Sequence, residues 1–151
     1  MTLTQPWATL VAIGAKKIET RSWPTRYRGP LAIHAAKAFP SEAWHFCFDW
    51  DCLGPFYKNG IKGPEELPRG AVLAVCRLVD CIPTSDVIGR IYKTAEERLG
   101  DYSPGRWAWL LEDVRRLDAP VPAKGRLGLW DINDGLLEDV ETSRHNCQKR
   151  S

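Results

Sequence analysis

A chain of 151 residues, 44% of them hydrophobic and seven of them tryptophan, is sized for one domain with an ordered core. No apolar run reaches the roughly 20 residues that cross a bilayer, which excludes a membrane-spanning helix. A formal net charge of +2 is too small to mark a nonspecific polyanion binder, so the distribution of charge matters more than its total.

The chain enters structure at Leu3 without a charged leader and apolar signal region, so the expected location is cytoplasmic. Thr4 or Gln5 caps a first helix that takes Pro6 in its first turn. Trp7, Leu10, Val11 and Gly14 lie on one stripe of that helix, and Gly14 ends it. Lys16, Lys17, Arg21, Arg26, Arg28 and Lys37 then follow against the single acid Glu19, interleaved with Trp23 and Tyr27.

IETRSW alternates as a strand, so Thr20 and Arg21 face opposite ways, and Pro24 breaks it. After a turn at Gly29-Pro30, PLAIHAA is a second strand with Leu31, Ile33 and Ala35 on one face and His34 on the other. A short helix is predicted from Ser41 to about Asp51, followed by a Gly/Pro-rich loop to Gly70. AVLAVCRLVD is apolar on both faces and predicts a central strand. Helical turns are expected from Thr84 to Arg98. RWAWLLEDVRRL is a strand with Trp107, Trp109 and Leu111 together, and LGLWDI is a last strand. From Asp134 onward a polar tail of residues 134–151, with at most one helical turn, is expected to pack loosely.

Five cysteines, Cys47, Cys52, Cys76, Cys81 and Cys147, cannot all pair internally, and an odd count predicts free thiols. Two C-x4-C spacings touch the loose end of zinc patterns, but strand alternation sends Cys76 and Cys81 to opposite sides. Small core residues account for them better. His34, His45 and His145 share no metal spacing, so neither a metal nor another cofactor is expected.

The segments QPWATLVAIGAKKIETRSW, YRGPLAIHAAK, GAVLAVCRLVDCIP, GDYSPGRWAWLL and PVPAKGRLGLW occur in the order found in the ASCH domain (activating signal cointegrator homology) and resemble it over residues 3–132. The family is related to PUA-like RNA-binding barrels. The resemblance implies an α+β fold, a small mixed β-barrel of about five strands flanked by short helices, over residues 1–133.

Residues that grip a base and its phosphates combine helix N-termini, cations and aromatic faces. Gln5, Trp7, Lys17, Arg21, Trp23, Arg26, Tyr27 and Arg28 are candidates on this ground, with Trp23 and Tyr27 as stacking platforms. Tyr102, Ser103 and Arg106 join them from a GDYSPGR loop placed to close over the cleft. Within the resembled family, one bacterial branch hydrolyses the acetyl amide of N4-acetylcytidine with a lysine, a threonine and a glutamate. Lys17-x-x-Thr20 resembles the first two, with Glu97, then Glu96, then Glu19, for the third. Three functions follow: an RNA- or nucleotide-binding module with DNA as a further ligand, an amidohydrolase on a modified nucleoside, and a protein-interaction adaptor working through exposed tryptophans. Oligomeric state is not legible from the chain.

Overall fold

The computed structural model describes residues 1–149, with side chains through residue 142. The expectations placed on His145 and Cys147 fall outside the described side chains. Five strands form one mixed sheet in the order β1-β3-β4-β5-β2: β1 (Thr2–Leu3), β2 (Ile18–Arg21), β3 (Gly29–Ala35), β4 (Ala71–Pro83) and β5 (Trp107–Pro122). β1 runs parallel to β3, and the remaining pairs are antiparallel.

This is an α+β fold, but the sheet does not close into the expected barrel. The edge strands have two and four residues and share no ladder. One side chain spans them instead: an Arg21 guanidinium nitrogen donates to the Thr2 carbonyl at 2.8 Å.

α1 (Trp7–Ala12) ends before Gly14 as predicted, yet it has no single apolar stripe. Ala8 through Ala12 are all buried. Ala8 and Val11 join Leu31, Ile33, Leu73 and Trp109 against the sheet, while Leu10 packs with Cys47, Cys52, Phe56 and Leu99 on the opposite side. A six-residue helix wedged between two clusters has no solvent face to keep polar.

The predicted helix from Ser41 is two helices, α2 (Ser41–Phe46) and α3 (Trp50–Lys58). The Asp49 carboxylate accepts from the Asp51 N–H at 3.0 Å and caps the second, which extends through Pro55 into the expected loop. Short turns follow, including α4 (Ile88–Ile91) and α5 (Ala95–Arg98). LGLWDI is not a strand. Gly128, at φ +68, interrupts the extended run, and Trp130 donates its indole N–H to the Thr2 hydroxyl at 3.2 Å. The tail beyond it is not a single helical turn but α6 (Asp134–Lys149). Its buried Val140 packs on Val72, Leu117 and Val121, so tertiary burial rather than helix propensity holds it.

Cys47, Cys52 and Cys76 are buried and unbridged. Burial pushes their thiols up to about 11, about 12 and about 12. Below pH 9 the thiols are neutral in both folded and unfolded chains and contribute nothing. Between pH 9 and 12 the unfolded thiols ionise first, so stability falls as pH rises, by roughly 1.4 kcal/mol per thiol per pH unit at the steepest. Urea midpoints measured from pH 8 to 11 should drop, and Cys52→Ala should flatten the decline by one thiol's share. An unchanged slope in that variant would show that its thiol does not titrate as described.

Candidate nucleic-acid interface

β2 follows α1 after a short turn, and a cavity of about 320 Å3 opens where it meets the segment after α5. Trp7 and Phe46 line one wall, with ring centroids 5.6 Å apart and planes inclined by 13°. Lys16, Glu19 and Thr20 line the β2 side, and Arg98, Leu99, Gly100 and Asp101 the other. The size is at the lower end of ordinary small-molecule sites.

Lys16 is 1% exposed and donates from Nζ to the carbonyls of Ile18 and Leu99, the latter at 3.0 Å. The Glu19 carboxylate stands 3.8 Å from the same nitrogen. Burial lowers the lysine pKa while Glu19 and Glu96 raise it. Two carbonyl acceptors and a carboxylate around one nitrogen match the three donors of an ammonium, whereas an uncharged amine would serve only the two carbonyls and turn its lone pair toward a third acceptor. Lys16 is therefore a fixed cation joining α1, β2 and the end of α5.

Glu19 is drawn the other way. Burial raises its pKa, and Lys16, Arg21 and Arg106 lower it. The Arg21 Nε lies 3.5 Å from its carboxylate. Next to it, Thr20 is buried, and its hydroxyl accepts from the Asp101 N–H at 3.1 Å. Gly100 is required here, since a Cβ would come 2.7 Å from the Tyr102 ring and 3.3 Å from the Thr20 methyl.

The structure separates the residues that the sequence grouped. Trp7 and Thr20 line the cavity. Lys17 does not: it is exposed, and its backbone N–H donates to the Glu96 carboxylate at 3.0 and 3.1 Å. Glu97 accepts from the Lys93 N–H at 2.6 Å, also outside the cavity lining, so the Lys17, Thr20 and Glu97 set does not converge. Gln5 is fully buried and structural, accepting from the Thr9 N–H at 3.0 Å and donating to the Pro68 carbonyl at 2.6 Å. With Ala8 N–H donating to the Thr4 carbonyl, two first-turn donors of α1 are already spent.

Trp23 is partly buried and packs against the core, edge-on to Trp109 at 4.8 Å. Arg26 and Arg28 line a different concavity with Pro24, Thr25, Cys81 and Trp107, where Arg28 pairs with Asp80 at 3.0 Å. The Tyr27 hydroxyl donates to the Pro30 carbonyl. Arg21 is committed to Thr2 and Glu19. Ser103 and Arg106 both hold Asp101, and Arg106 also donates to the Thr20 carbonyl at 3.3 Å. Tyr102 packs beside Gly100 and contributes its ring rather than its hydroxyl.

Lys16, Phe46, Arg98 and Asp101 were missed. Lys16 stood in the basic run, but only its burial distinguishes it from Lys17. Phe46 carried no signal, because its approach to Trp7 is a long-range contact.

An open mixed sheet with a small aromatic-lined cleft beside its short edge strand defines an α+β domain. The family model for the ASCH domain matches residues 1–121, and the chain belongs to the ASCH domain family. It is 25% identical to activating signal cointegrator 1 of Homo sapiens over 143 residues, which is 93% of this chain and 23% of that protein. The Mus musculus protein of the same name is 25% identical over 145 residues. The chain thus spans about a quarter of the length of these relatives. A crystal structure of a ZmASCH mutant protein from Zymomonas mobilis shares the fold, with a TM-score of 0.55, 13% identity and 94% of each chain covered. No described helix is long and apolar enough to cross a membrane.

Proposed function

We propose that this ASCH domain binds RNA or a nucleotide, holding one base in the cleft between α1, β2 and residues 98–101. The observation that carries this reading is the stacked Trp7–Phe46 pair lining a cavity that the half-buried Glu19 carboxylate and the Thr20 hydroxyl also line. Flat aromatic walls receive a base, and polar groups read its edge. β2 is an edge strand leading from this cleft to the concavity of Arg26 and Trp107, which offers a course for the flanking backbone.

Fluorescence anisotropy with short single-stranded RNA tests it. Phe46→Ala should cost about 1–3 kcal/mol of binding, the scale of one stacked base. Arg26→Ala should reduce the slope of log affinity against log salt by about 0.7, one single-strand phosphate contact. Unchanged affinity in Phe46→Ala would remove the base from this cleft.

The amidohydrolase alternative needs an amine that takes a proton from the Thr20 hydroxyl. Lys16 is the amine in the cavity, and its protons are committed to two carbonyls and Glu19. This favours binding over hydrolysis. Release of cytidine from N4-acetylcytidine by the purified protein would reverse the preference.

A further inference from the structure

The Glu19 carboxylate has an unmet requirement. Its side chain is 13% exposed and borders the cleft, yet among the described residues it accepts no hydrogen bond. Lys16 at 3.8 Å and Arg21 Nε at 3.5 Å hold it by charge, and that Arg21 nitrogen has no hydrogen-bond partner of its own. Most buried or half-buried carboxylates satisfy several lone pairs. The Thr20 hydroxyl, which lines the same cavity, accepts from Asp101 and, among the described residues, has no acceptor for its own proton. Asp101 and Arg98, by contrast, are already engaged by Ser103, Arg106 and Asp51.

Glu19 and Thr20 thus offer the cleft two adjacent carboxylate acceptors and one hydroxyl donor. Guanine presents N1–H and the N2 amino group side by side, with the O6 acceptor next to them. Adenine and cytosine each offer one amino donor beside a ring acceptor, and uracil a single N–H between two carbonyls. Only the guanine edge gives a carboxylate two parallel hydrogen bonds.

We infer that Glu19 makes this cleft selective for guanine, with Thr20 donating to O6. The inference rests on the base-binding reading above and adds the identity of the base. Burial, with Glu96, raises the Glu19 pKa and Lys16, Arg21 and Arg106 oppose that rise; the ion pairs at 3.8 and 3.5 Å favour the carboxylate form that the guanine edge requires. Acidification that protonates it leaves one donor and one acceptor, which fits guanine no better than adenine or cytosine.

The test uses single-stranded RNA tetramers of uridine carrying one guanosine, inosine or adenosine. The guanosine oligomer should bind about 10- to 100-fold tighter than the adenosine one, the range of one bidentate pair. Inosine, which lacks the N2 amino group but keeps N1–H and O6, should lose most of that advantage on the wild-type protein. Glu19→Gln should abolish the discrimination, because an amide offers one acceptor and one donor, and circular dichroism checks that the variant is folded. Equal binding of guanosine and inosine by the wild type would overturn the guanine inference and leave the binding cleft intact. Failure of every oligomer to bind would overturn both.

Discussion

Lys16→Ala is expected to lower the free energy of unfolding by about 3–5 kcal/mol, whereas Lys17→Ala should change it by less than about 0.5 kcal/mol. The two lysines are adjacent, yet one is 1% exposed and the other lies at the surface. Removing Lys16 leaves the Ile18 and Leu99 carbonyls without their donor and strips Glu19 of one of its cations. Uncompensated buried polar groups of this kind carry a full desolvation cost. Urea titration of both variants measures the difference, and similar midpoints would contradict the description of Lys16 as a fixed ammonium. Oligonucleotide affinity should fall with Lys16→Ala as well, because the same nitrogen sets the position of the carboxylate in the cleft.

Trp109→Ala should be comparably damaging, about 3–5 kcal/mol, the range for emptying a large aromatic site. Trp109 is fully buried near the start of β5, meets Trp23 edge-on at 4.8 Å, and donates its indole N–H to the Trp23 carbonyl at 3.3 Å. It links the central sheet to the segment that leads out of β2. A loss of that size is a large part of a typical domain's total stability, so the variant should melt early and expose apolar surface. Trp23→Ala should cost less, since Trp23 is only partly buried. A milder result for Trp109 than for Trp23 would reverse the order of burial described here.

The aromatic-rich run from Trp7 to Arg28 reads in the sequence as one candidate site, but its parts go to different places. Alternation correctly separated Thr20 from Arg21. It could not separate Lys16 from Lys17, because both precede the strand and the turn from α1 decides which one points inward. Glu19 ranked third among the acids for the same reason. In the fold it meets Lys16 and Arg21 while, among the described residues, its oxygens accept no hydrogen bond. Glu97 had a plausible position in the chain but caps its own helical turn by accepting from Lys93.

The pattern of apolar and β-branched residues was sufficient for β2, β3, β4 and the start of β5, because strand periodicity is a local property, and the resemblance of five ordered segments was sufficient for the family to which the chain belongs. Closure of the sheet was not local. Two short edge strands stop short of pairing and are spanned by the Arg21 side chain. Residues 127–132 have strand-like composition but are interrupted at Gly128 and held by Trp130. Residues from 134 have weak helical character but gain a helix by burying Val140. In each case residues far apart in the chain supplied the deciding hydrogen bond or apolar contact. The cleft follows the same rule: Trp7, Glu19, Phe46 and Asp101 become one site only when α1, α2, β2 and the segment after α5 pack together.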